Sequence, residues 1–138
     1  MPDDSARYHR QAALAYAGLG LLVIFITFAA GLVPAGQRDA IWAMVVGAVF
    51  IVIFAALIYR GWWVFSALLL FSNTWRVVTY FNDGLGWHME LLPYSLTPIE
   101  PKPAAFINAG LMAVIVLMLT RSAWAGFSAW RERRLASN

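Results

Sequence analysis

The chain has 138 residues, 62% of them hydrophobic and only 12% charged, with a mean hydropathy of +0.68 and a net charge of +3. A water-soluble domain carries roughly 45–50% apolar and about 25% charged residues, so this composition argues against a soluble globular domain and for one small membrane domain, its apolar excess gathered into four runs. The absence of cysteine excludes disulfides, thiolate metal sites and cysteine nucleophiles.

Met1 to Gln11 is polar, with Asp3, Asp4, Arg7, His9 and Arg10. Residues 12–33 are then almost wholly apolar, long enough to cross a hydrocarbon core that needs about 20 helical residues. Cleavage as a signal peptide, near Ala29 or Val33, is the competing reading. The run is too long for a signal-peptide core and the two aspartates spoil its basic leader, so a retained span is expected. Pro34 to Asp39 reads as a turn, with Asp39 placed to cap the next helix.

The second span, 40–59, has no charged residue, and Gly47 offers a close-packing spot. Arg60-Gly61 is so short a connection that the third span, 62–81, must run back beside the second. An outer loop, 82–103, follows with prolines at 93, 98, 101 and 103, so an extended loop is expected, with Trp87–Leu92 as a candidate interfacial helical turn. The fourth span is 104–120, opened by Pro103, and Ala105, Ala109 and Ala113 mark a packing face. Residues 121–138 place aromatic side chains among arginines, the pattern of a basic amphipathic anchor at the membrane surface. The fold expected is all-α, a polytopic antiparallel four-helix transmembrane bundle with a Pro-rich outer loop and a basic amphipathic C-terminal helix.

Orientation follows from positive charge. With four spans, Arg7, Arg10, Arg60, Arg121, Arg131, Arg133 and Arg134 share one side, against Arg38 and Lys102 on the other. This bias puts both termini in the cytoplasm and the loop outside, in what the composition suggests is a bacterial cytoplasmic membrane. Four of the ten basic residues lie in the last eighteen, beside an apolar run, so anionic headgroups and not nucleic acid are the expected partners.

Arg76 is the sharpest chemical feature, because it stands where the chain should be in lipid. It falls fourteen residues into the third span, roughly 8 Å short of the outer boundary. An arginine near the bilayer centre costs ~2.5–3.5 kcal/mol on the insertion scale, and less nearer the interface. At 100° per residue, Ser72, Asn73, Arg76, Thr79, Tyr80 and Asp83 fall within an arc of about 120°. Such a stripe should face the bundle. Asn108 and Thr27 lie at matching depth, so a polar layer of Arg76, Asn73, Tyr80, Asn108 and Thr27 is expected, with Asp83, Glu90 or Glu100 as counter-charge.

That layer either pins the helices together or forms an outward-facing pocket in which Arg76 holds a carboxylate or lipid phosphate. His88, Glu90 and Asp83 are candidates for metal or acid–base chemistry at the outer interface, but their spacing matches no metal motif and no nucleophile motif accompanies them. Neither a metal nor a cofactor is expected. Bis-histidine haem ligation is disfavoured because His9 and His88 fall on opposite sides. The tryptophans at 62, 63, 124 and 130, and at 42 and 87, form ordinary interfacial belts, with Trp75 the exception.

Three function classes remain. In order they are an accessory or self-associating subunit of a membrane complex, a transporter or binding protein using the Arg76 pocket, and a membrane enzyme using His88, Glu90 and Asp83. The first makes the protein a homo-oligomer or a partner of other membrane subunits. A cysteine introduced at Ser95 is expected to react with an impermeant maleimide added outside intact cells, and one at Ser137 is not; the reverse labelling overturns the orientation.

Overall fold

A computed structural model describes residues 4–32, 38–89, 96–98 and 100–137, with only the backbone of 38–40, 88–89 and 96–98. Among them are four helices, α1 (Asp4–Ala29), α2 (Arg38–Tyr59), α3 (Trp63–Gly84) and α4 (Pro103–Ala136), and two three-residue strands, β1 (Trp87–Met89) and β2 (Leu96–Pro98). The fold is all-α apart from those strands.

Three helices are long and apolar enough to cross a membrane: α1, the Ile41–Tyr59 stretch of α2, and α4. The third of the four expected spans differs. α3 matches α2 in length, at 22 residues. From Ser72 onward it carries Ser72, Asn73, Thr74, Arg76, Thr79, Asn82 and Asp83, which lower its mean hydropathy below that of a free-standing span.

α4 is the central element, packing along both α1 and α3, while α2 leans on α1 and touches α3 only slightly. The core follows from spacing. On α1 the buried positions are His9, Ala12, Ala13, Tyr16, Gly20 and Val23, one face of a 3.6-residue repeat. Ile51, Ala55 and Ile58 of α2 and Met112, Ile115 and Leu119 of α4 close against them. The opposite faces carry exposed Leu14, Phe25, Val52, Leu68, Phe71 and Leu117. An outside more apolar than any soluble protein tolerates is what lipid requires.

Element ends moved for local reasons. α1 begins at Asp4, not Ala12, because the polar segment continues the buried face through His9. α4 runs unbroken to Ala136, and Ser122 and Gly126, in the expected surface anchor, are buried in the bundle. Beyond α3, Gly86 takes a positive φ of 83° and turns the chain into β1. The expected helical turn at Trp87 is therefore a strand, paired antiparallel with β2 so that Trp87 faces Pro98 and His88 faces Thr97. Pro98 is tolerated there because a two-stranded sheet has only edges.

Small residues set the close approaches, though not all the expected ones. Ala105 and Ala109 are buried, whereas Ala113 is exposed. A methyl at Gly47 would meet only Ile24 Cδ1, at 3.9 Å, so this is a roomy position. The tight crossings are at Gly20 against Ile51, Gly84 against Phe106, and Gly126 against Trp63. A Cβ on Gly126 would collide with the root of the Trp63 side chain and stand 3.1 Å from His9 Cε1.

The contrast with Gly110, where a Cβ meets nothing within 4 Å, gives a matched test. Gly126→Val is expected to destabilise by about 1–3 kcal/mol through overpacking. Gly110→Ala should be neutral or stabilising by up to about 1 kcal/mol, as expected inside a helix. Thermal or SDS unfolding of the purified variants measures both.

Candidate functional site

Three of the five residues expected in the polar layer, Thr27, Tyr80 and Asn108, come together. Thr27 near the end of α1 is the hub. Its hydroxyl donates to Val23 O at 2.7 Å within its own helix and accepts from Asn108 Nδ2 of α4 at 3.0 Å. It also lies 3.2 Å from the Tyr80 hydroxyl of α3. Thr27 thus donates once and accepts twice, which fills its hydrogen-bonding capacity. Asn108 is fully buried, and its Oδ1 has no hydrogen-bond partner among the described residues. Asn73, also buried, turns its amide back to Leu69 O at 2.7 Å and stays within α3.

Arg76 does not join this hydrogen-bonded group. It lines a cavity of about 470 Å³ between α1, α2 and α3, to which α4 contributes Met112. Tyr16, Gly20, Val23 and Thr27 form the floor, spaced so that α1 presents one face. Ala43, Gly47, Phe50 and Phe54 make the α2 wall, and Leu69, Asn73, Arg76 and Tyr80 the α3 wall. The gap exists because α2 and α3 hold together near their shared hairpin, where Phe65 meets Phe54 and Trp62 with ring centroids 5.8 Å apart in each case. Past Phe54 the roomy Gly47 side of α2 faces the polar side of α3, and neither fills the space. The volume falls in the ~300–1,000 Å³ range of small-molecule sites.

Of the expected counter-charges, the two among the described residues, Asp83 and Glu100, do not pair with Arg76. Among the described residues its guanidinium makes no hydrogen bond and no ion pair, and it stands within electrostatic reach of the buried Tyr16. Asp83 ends α3, where its backbone carbonyl accepts from the Lys102 and Gly86 amides at 3.4 and 3.2 Å, closing the loop onto the helix. Glu100 is exposed, and Glu90 lies outside the described residues. The candidate enzyme group is likewise only partly placed: the backbone of His88 is in β1, Asp83 is one turn before it, and Glu90 is again outside the described residues.

Chemically, the cleft offers a long apolar wall and one cation. A guanidinium has five donors and binds carboxylate or phosphate through two parallel hydrogen bonds. The Tyr16, Tyr80, Thr27 and Asn73 groups beside it extend the polar end.

A second buried polar group escaped the sequence reading. His9 of α1 is 5% exposed, with Nδ1 2.7 Å from the Ser122 hydroxyl of α4, which lies 2.8 Å from the Ser66 hydroxyl of α3. The available signal was spacing: His9 lies three, four and seven residues before Ala12, Ala13 and Tyr16, on the buried face. No family model matches the chain, and no curated protein or solved structure matches it.

Proposed function

We propose that this integral membrane protein binds an anionic amphiphile, a molecule with a carboxylate or phosphate head and a hydrocarbon tail, in the cleft between α1, α2 and α3. The observation that carries the reading is Arg76, an exposed cation lining a largely apolar cavity, with no hydrogen bond or ion pair to another described residue. A guanidinium so placed costs free energy unless an acceptor meets it, and a ligand that brings both the acceptor and a chain for the apolar walls satisfies both halves.

The reading takes α3 as the fourth span of an antiparallel bundle. Support comes from its packing along α4, from Ser66 against Ser122 to Gly84 against Phe106, levels about 24 Å apart at 1.5 Å per residue. Its polar face turns to the cleft, so α4 and α1 shield what α3 alone would expose. The basic residues then put both termini in the cytoplasm, the Arg76 end toward the outside, and the arginine-rich end of α4 at the inner headgroups of a bacterial cytoplasmic membrane.

A second reading is an accessory or self-associating subunit. One observation favours it: among its described side chains α2 buries only Ile51, Ala55 and Ile58, and exposes Ile41, Trp42, Val45, Val49, Val52 and Ile53. A helix of another subunit, or of a second copy, would then cover the mouth of the cleft. An enzymatic role for His88, Glu90 and Asp83 has no comparable support.

The two readings separate experimentally. Arg76→Gln is expected to weaken binding of a fluorescent fatty acid or short-chain phosphatidic acid at least about tenfold, the value of one charged hydrogen-bonded contact, with unfolding unchanged. Gly47→Phe, which fills the cleft, should do the same. Unaltered binding in both variants, with loss of a copurifying subunit, favours the accessory role instead.

A further inference from the structure

The opposite end of the bundle carries a second cavity, of about 350 Å³, where the start of α1 meets the α2–α3 turn and the last part of α4. Three arginines line it: Arg10 of α1, Arg60 of the turn and Arg133 of α4, with His9, Tyr59 and Gly61. No carboxylate lines it among the described residues. Three segments far apart in sequence thus bring like charges to one concave polar space. All three arginines are exposed, and together they raise the local positive potential and favour an anion there.

The cavity wall is also held in place. The Arg10 guanidinium lies over the Tyr59 ring, 5.6 Å from its centroid. Arg133 spends its Nε on Ala129 O, at 3.2 Å, which orients the fork and keeps both Nη groups for a ligand. Gly61 takes a φ of 86°, and this left-handed turn carries the backbone over the ring of His9, where a Cβ would come within 3.7 Å of Cδ2. The His9 ring is itself fixed by Ser122 and, through it, Ser66. Arg121, Arg131 and Arg134 do not line the cavity, nor does Glu132, although Glu132 and Arg134 flank Arg133 in sequence; the Arg134 guanidinium instead lies 4.9 Å from the Trp130 ring centroid. The site is therefore a built pocket and not the general basic face of a tail.

We propose that this arginine pocket binds a phosphate group, carried either by an anionic phospholipid head group of the adjoining leaflet or by a small phosphate-bearing solute. Guanidinium forks match phosphate oxygens two at a time, and three forks suit a group with three or four oxygens. The level fits a lipid source, because exposed Trp62, Trp124 and Trp130 lie near the same end and mark a membrane–water interface. Basic pockets between helices on the cytoplasmic side are known to hold lipid head groups. The proposal is independent of the Arg76 cleft, since no residue lines both cavities.

The test uses the full chain in neutral detergent with Arg76→Gln as background, so that the cleft does not contribute. Binding of dihexanoyl phosphatidic acid, of dihexanoyl phosphatidylcholine and of inorganic phosphate is followed by calorimetry. Saturable binding of phosphatidic acid alone identifies a lipid source. Equal binding and mutual competition by inorganic phosphate identify a solute source. In either case Arg10→Gln, Arg60→Gln and Arg133→Gln are each expected to weaken binding about tenfold or more, and Arg131→Gln to leave it unchanged. Should a glutamine variant fail to fold, Arg60→Lys and Arg133→Lys, which keep the charge and lose the fork, are expected to show a smaller loss. The proposal is overturned if neither phosphate compound binds saturably, if phosphatidylcholine binds as well as phosphatidic acid, or if Arg131→Gln weakens binding as much as the pocket variants.

Discussion

Two small hydrogen-bonded groups hold three of the four helices in register, and the rest of the structure depends on them. Near one end, Asn108 of α4 and Tyr80 of α3 meet on Thr27 of α1. Near the other, His9 of α1 and Ser66 of α3 meet on Ser122 of α4. Asn108 and Ser122 are about 21 Å apart along α4, so both groups fit the span of a ~30 Å hydrocarbon core. Each hydrogen bond is worth ~0.6–2 kcal/mol in a membrane, but they are directional where dispersion is not. Among the described residues α2 makes no side-chain hydrogen bond to another helix. Ile51 against Gly20, with Ala55 and Ile58, leaves it leaning on α1, and its separation from α3 is the cleft.

The position of Arg76 follows from this arrangement. It lies one turn before Tyr80, which is tied to Thr27, so α3 cannot rotate its polar face away from the cleft without breaking that contact. The guanidinium is thus held at the edge of an apolar space by groups it does not touch. A structural arginine would have been expected to consume its donors on Asp83, Asn108 or loop carbonyls. Instead Asn108 goes to Thr27, Asn73 to its own helix, and the Asp83 carbonyl to the end of the loop. At the far end the same principle recurs with three arginines around one cavity.

Much of the fold was legible in the sequence because lipid imposes length and apolarity on any span, and those show directly in residues 12–33, 40–59 and 104–120. The depth match of Thr27, Asn108 and Tyr80 was legible too, since helical rise converts position into height. Partner choice was not. The sequence places Asn73, Asn108 and Asp83 within reach of Arg76, and only packing decides that two of the amides bond elsewhere. The cleft was equally hidden: Gly47 reads as a contact point, but its meaning depends on how far α2 stands from α3. His9 was missed because a polar leader ends an apolar run by composition, while the buried 3.6-residue face continues through it. The β1–β2 pair was missed because Trp87–Met89 is too short to carry a period.

The central claim is that the cleft between α2 and α3 holds the tail of an anionic amphiphile whose head meets Arg76. It is tested most directly by incorporating a long-chain fatty acid with a diazirine in its tail, irradiating the protein in bilayers, and mapping the labelled residues by mass spectrometry. Labels concentrated on Ala43, Gly47, Phe50 and Leu69, and lost in Arg76→Gln, are the predicted result. Labels spread over outward-facing Val52, Leu68, Phe71 and Leu117, with no dependence on Arg76, would contradict the account.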